Sequence, residues 1–309
     1  MLDRRQLLTG VVGGLLGSLA MPGRTRAQTN TAQPAGAVAL ADRLSLLTSG
    51  RTNVLALSTP DGLVLVDSGA PELIDRLMAS VQGLARGPIG TVFNTHWHAE
   101  NTGANEALRQ AGATIVAHEN TRLWMATPTW LPADDRYRPP RPLAARPTKT
   151  FYTEGSMQAG GEHIDYGYLL EAHTSGDIYI FFRDANVLAV GDVASPARDP
   201  ELDYLTGAWI GGRADALTRL VDLSNEATRI VPGYGAVMTR TELQAERDLM
   251  KTIYDRTVDR VREGDSAEDM RDAGVLKALP RTLTDPHRFL YDLQKGLWAH
   301  HNKLSPNVV

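Results

Sequence analysis

The sequence predicts an α/β fold, a layered domain of strands and helices followed by a helical tail. Three features of its 309 residues carry that expectation. Short apolar runs of strand length alternate with segments whose apolar residues recur at helical spacing. Polar residues able to bind metal gather where several of those runs end, which is where α/β sheets place their sites. From Thr241 onward a single apolar stripe through Leu243, Leu249, Met250, Ile253, Val258 and Val261 marks a long amphipathic helix.

Residues 1–27 read as an address and not as part of the fold. Arg4 and Arg5 precede a Gly-diluted apolar run too short to span a bilayer. Arg24-Thr25-Arg26-Ala27 then offers a small-residue cleavage point. The segment resembles a twin-arginine export signal, although Asp3 stands where Ser or Thr is usual and Leu7 where Phe is common. A periplasmic or exported bacterial protein is expected, carried across folded and with its cofactor loaded. No stable membrane insertion is expected after cleavage. Residues 28–39 are small, polar and unpatterned, and read as a linker. The domain is expected over 40–309, with its C-terminal helices from about 241.

Within it, NVLALS and LVLVD flank Pro60-Asp61-Gly62 and predict a hairpin. Pro71 opens a helix carrying Leu73, Leu77, Val81 and Leu84 on one face. Residues 89–94 predict a buried strand, 101–112 a helix and 113–118 another strand. Residues 127–149, rich in Pro, Arg and Ala, predict a long surface loop of the kind that borders sites. In the second half, 166–172 predicts a strand that ends at His173. Residues 177–182 and 186–192 pair across a turn, Gly211-Gly212 lead into a helix, and 229–235 forms a last strand. Two more helices follow the long one and end at Trp298.

Composition narrows the function. A formal charge of −4 lacks the basic excess that nucleic-acid binding calls for. The absence of Cys excludes disulfides, thiolate ligands and a Cys nucleophile together. Any metal is therefore held by His, Asp, Glu or backbone. No Gly-x-Ser-x-Gly elbow, Walker loop or dinucleotide fingerprint is present.

The chemistry gathers in Asn94-Thr95-His96-Trp97-His98-Ala99-Glu100-Asn101. Alternate side chains of extended backbone point the same way, so His96 and His98 can reach one ion. His173 ends a predicted strand, Asp192 follows Val190-Gly191, and Tyr234 sits in Pro232-Gly233-Tyr234-Gly235. The ordered set THWHAEN, EAHTSGD, AVGDV and VPGYG, with Asp67 in LVLVDSGA, resembles the metallo-β-lactamase fold superfamily over about residues 40–250.

That resemblance implies a four-layer αβ/βα sandwich with a helical C-terminal extension, and a hydrolytic metal centre. It places a first metal on His96, His98 and His173. The family's second metal takes an Asp and two His, where this chain has Glu100, Asn101 and Tyr234. Asp192 matches the carboxylate that bridges the two ions. Asn offers a weak neutral oxygen, and Tyr is a poor donor while its pKa stays near ~10. One tight Zn2+ is expected, with Asp192 or water in the fourth place and a weak or absent second site. Glu100 is then the candidate general base, and Tyr234 and Asn101 are candidate donors to an oxyanion or a leaving group. The expected substrate is a small ester, lactone or amide. The alternatives are a catalytically silent ligand-binding protein and a β-lactamase. No nucleic-acid partner is expected, and the oligomeric state is left open.

Overall fold

The computed structural model describes residues 36–48, 52–84, 87–131 and 136–300. The expected export signal and residues 28–35 of the expected linker lie outside them. Among the described residues, no helix is long and apolar enough to cross a membrane.

Two sheets form the middle of the molecule. The first has seven strands: β1 (Gly36–Ala39), β2 (Leu44–Thr48), β3 (Asn53–Thr59), β4 (Gly62–Val66), β5 (Ile89–Phe93), β6 (Thr114–His118) and β9 (Lys149–Phe151), in that spatial order. Strands β1 to β4 run antiparallel, and β4, β5, β6 and β9 are parallel neighbours. The second sheet runs β10 (Glu154–Ala159), β11 (Glu162–Tyr168), β12 (Ile178–Phe182), β13 (Val187–Gly191) and β14 (Arg229–Pro232). Only β13 and β14 pair in parallel there.

The continuous apolar runs follow from burial on both faces. Along β4, Val64 and Val66 enter the core between the sheets, with Phe93, Ile164, Ile180 and Phe182. Leu63 and Leu65 point the other way, onto Leu77, Val81 and Leu108. Those three come from α1 (Ile74–Leu84) and α3 (Asn105–Gln110). On the second sheet Val187 and Ala189 face inward. Leu188 and Val190 meet α5 (Ile210–Leu223), α6 (Arg240–Glu263) and α8 (Pro286–Ala299) through Leu217, Leu249 and Leu293. The strand period of two thus separates helix-facing from sheet-facing side chains and produces the αβ/βα layering. Helix α6 begins on a Thr239–Glu242 capping box and ends at Gly264 in left-handed backbone, both readable as start and stop signals.

Three sequence expectations are corrected. The end of the expected linker, residues 36–39, is strand β1, exposed along its whole length. With no buried face, its four small residues show no alternation of apolar and polar side chains. The predicted strand 166–172 stops at Tyr168, so His173 stands in a loop and not at a strand end. Glu171 there adopts φ +50°, which takes the chain out of extended backbone. The expected loop 127–149 contains an antiparallel pair, β7 (Thr129–Leu131) and β8 (Arg136–Arg138), too short to show a period.

Candidate metal centre

The site lies in the loops that leave the C-terminal ends of β4, β5, β13 and β14, together with the loop after β11. His96 and His98 lie between β5 and α2 (Ala99–Thr102), His173 in the loop before β12, and Asp192 directly after β13. The ligand atoms of the three imidazoles lie within 4.8 Å of one another, and His96 and His173 are completely buried. The three rings stand edge to face with 4.8 Å between each pair of centroids.

Each ring is oriented from behind. Nδ1 of His173 donates to the Glu201 carbonyl at 3.0 Å. Nε2 of His98 meets the Asp203 carboxylate at 3.1 Å, and Thr206 Oγ1 donates to the same oxygen. Nδ1 of His96 donates to Thr95 Oγ1 at 3.1 Å, and that hydroxyl donates on to Asp67. These bonds fix the tautomers, leaving His96 Nε2, His98 Nδ1 and His173 Nε2 turned toward one another. His96 Nε2 is buried with no hydrogen-bond partner. Three converging ring nitrogens, one of them orphaned, are what a cation would satisfy. The imidazole set fits a metal ion.

The electrostatics agree. Burial, then the neighbouring charges of His98 and Arg198, holds His96 well below the ordinary imidazole range. Burial does the same to His173, helped by the other two rings. Both stay neutral and so can donate. Burial also pulls His98 down, but the Asp203 hydrogen bond and charge outweigh it and raise the ring to about 9. An acidic partner that raises ring basicity also strengthens it as a ligand.

Asp192 faces the trio, with Oδ2 3.9 Å from both His96 Nε2 and His173 Nε2. Its other oxygen, Oδ1, is buried without a partner. Burial pushes its carboxyl up to about 6, against the pull of Arg198, which donates to Oδ2. Gly233 is required here, because a Cβ would collide with Asp192 Oδ1. Gly191 takes φ +54°, and a Cβ there would lie 2.8 Å from Thr95. The two glycines let β13 and β14 close onto the histidine loop.

The remaining candidates are placed as follows. Glu100 sits in the first turn of α2, half-buried, and borders two cavities of about 360 and 650 Å³. Tyr234 borders the larger with Arg198. Asn101 is fully buried, and its Nδ2 donates to Asp67 Oδ2 at 2.9 Å. Asp67 holds left-handed backbone, φ 62°, and also accepts from the Thr95 backbone at 2.7 Å. Burial pushes its carboxyl up to about 7, against these donors. The smaller cavity is lined by Trp97, Trp130, Tyr204 and Tyr291, with Arg138 stacked 4.0 Å over the Trp97 ring.

Sequence reasoning missed Asp203, Arg198 and Arg213. Arg213 is a fully buried arginine on α5 that donates to the carbonyls of Asp192 and Glu201 and to Ser195 Oγ. It ties the Asp192 loop to the carbonyl that orients His173. Neither Asp203 nor Arg213 has a spacing signal. Arg198 does stand six residues after Asp192, beside the motif.

Comparison with known proteins places this geometry. Residues 47–279 match the model of the metallo-beta-lactamase superfamily. The chain is 25% identical over 183 residues to metallo-beta-lactamase IND-1 of Chryseobacterium indologenes, covering 59% of this chain and 71% of that one. It is 24% identical over 238 residues to the alpha subunit of a 2,4-dinitroanisole O-demethylase from Nocardioides sp. strain JS1661, covering 74% and 66%. A metallo-beta-lactamase from Pontibacter korlensis superposes with TM-score 0.58 at 20% identity, over 70% of this chain and 99% of that one. The DIM-1 metallo-beta-lactamase does so with TM-score 0.57 at 17% identity, over 72% and 99%. The structural likenesses show the fold alone, whereas the family match spans most of the chain: it belongs to the metallo-beta-lactamase superfamily, a family of metal-dependent hydrolases.

Proposed function

We propose that the chain is a metal-dependent hydrolase of a small carbonyl substrate, an ester, lactone or amide, working with one zinc ion held by His96, His98 and His173 and faced by Asp192. The observation that supports it is the convergence of three imidazole nitrogens whose opposite nitrogens are already bonded. When bound, such an ion supplies Lewis-acid polarisation and brings the pKa of water toward ~7.

The chain's own groups do the rest. Glu100, at the border of both cavities, takes up the proton of the attacking water. The Tyr234 phenol, in the larger cavity, donates to a developing oxyanion or to the leaving group. Asn101 enters by another route than donation to the oxyanion. Its amide nitrogen is engaged by Asp67, so it holds the Asp67–Thr95–His96 relay in register. Residues 1–27 would deliver the protein to the periplasm or beyond.

The aromatic lining of the smaller cavity, with the demethylase relative, favours a second reading within the same chemistry: a substrate whose reacting bond carries an aromatic ring, as in an aryl ester or an activated aryl ether.

The test is metal content by elemental analysis, together with turnover of aryl and alkyl esters, lactones, amides including β-lactams, and nitroaryl methyl ethers. Turnover should vanish on chelation and return with zinc. Glu100→Gln should lower kcat by about 10²–10⁴-fold with metal retained. Activity indifferent to chelation, or an unchanged Glu100→Gln, would sink the reading.

A further inference from the structure

We propose that the guanidinium of Arg198 stands in the place of a second metal ion, as a fixed cation beside Asp192, and keeps that position closed to a metal. The proposal deepens the single-ion reading above and rests on it.

The groups on that side do not fit a metal. Asn101 has given its amide nitrogen to Asp67 and offers one neutral oxygen. Tyr234 offers a phenol and Glu100 a half-buried carboxylate, with no imidazole among them. Asp192, in contrast, is a buried carboxylate whose charge calls for a partner. Arg198 meets that demand by donating to Asp192 Oδ2. Its guanidinium also lies 5.5 Å from the centre of the Tyr234 ring, on the side where the family places its third ligand. Asp192, Arg198 and Tyr234 therefore make a closed set in which the cation belongs to the protein.

The loop that carries Arg198 is braced. The Arg198 carbonyl accepts from Arg281, which pairs with Glu246 of α6 at 3.1 Å. The other oxygen of Glu246 accepts the Ser195 backbone N–H at 3.2 Å. Both ends of residues 195–198 are thus tied to one buried carboxylate. A guanidinium does not lose its proton in a protein, so this charge, unlike an ion, survives chelation. It also borders the larger cavity beside Glu100, where it presents N–H donors to whatever binds there.

The test counts ions, and needs no substrate. The wild type, Asn101→His/Tyr234→His, and that double variant with Arg198→Ala or Arg198→Lys are equilibrated with zinc, desalted and assayed for metal, with thermal unfolding as a check on folding. The wild type, the double variant and the Arg198→Lys triple variant should each retain about one ion per chain, and the Arg198→Ala triple variant about two. Two ions in the wild type or the double variant, or one in a folded Arg198→Ala triple variant, would overturn the assignment of Arg198. A wild type that retains none would instead overturn the three-imidazole centre, and the proposal with it.

Discussion

On one side of Asp192 stand three imidazoles, two of them kept neutral by burial and the third raised by Asp203, with their inner nitrogens converging. On the other side stands Arg198, bonded to the carboxylate and leaning over Tyr234. Both sides border buried acceptors. The imidazole side is built as a demand, every ring braced from behind and its inner nitrogen turned toward the other two. The arginine side is built as a closed account, its charge supplied by the sequence. The difference teaches that loss of a family's ligands need not mean decay of a site: a covalently attached cation can take over the charge while surrendering the coordination chemistry.

The comparison breaks most readily at the imidazoles. His173→Ala removes one of three donors and leaves His98 facing empty space where Nε2 stood 3.1 Å away. Metal retention should fall by well over 10²-fold, more than the loss of an outer partner costs. Arg198→Ala should leave the retained ion in place. Dialysis against a graded chelator series reads both, and equal losses in the two variants would mean the sides are not distinct.

A smaller effect is expected one layer out. Asp203→Asn keeps the shape but removes the charge that makes His98 basic. Metal affinity should weaken by about 10–100-fold. Thr95→Val breaks the relay from Asp67 to His96 and should fall in the same range. Competition with a fluorescent zinc chelator measures both. An unchanged affinity in Asp203→Asn would show that the Asp203 bond does not orient His98.

How much of this was legible follows the same division. The layers could be read because buried strands are continuously apolar and amphipathic helices keep their period, as in β4 and α6. The imidazole side could be read because His96 and His98 are close in sequence and His173 and Asp192 sit in short polar motifs. Strands β1 and β7 were not legible, one having no buried face and the other only three residues. Arg198, Asp203 and Arg213 were not legible because what they do depends on which distant carbonyls and carboxylates the fold brings to them. An arginine on a helix reads as surface charge, yet Arg213 is buried completely. No local pattern announces that three buried acceptors wait for it. Asn101 was visible, but its direction was not: only the contact with Asp67 shows which end of the amide is spent.

The smallest effect sharpens the comparison through a second arginine–aspartate pair, on the wall of the smaller cavity, where the charges of Glu201 and Asp203 also reach it. On α8, Arg288 Nε donates to Asp292 Oδ2 at 2.7 Å. Burial pushes the Asp292 carboxyl up to about 6, and the Arg288 bond only partly offsets it. The folded chain therefore holds this proton more tightly than the unfolded chain, whose carboxyl titrates near its ordinary value of 3.8. The stability this proton contributes is complete below that value and is lost as pH rises through about 6. In Asp292→Asn there is nothing to titrate. The wild type should thus lose ground to Asp292→Asn between pH 4 and 6 and run parallel to it above, a modest change because solvent screens the exposed arginine of the pair. Thermal midpoints of the two proteins, taken together across that range, measure the difference directly. A difference that stays flat would show that Arg288 holds the Asp292 carboxylate charged throughout, and that burial does not set the balance in this pair.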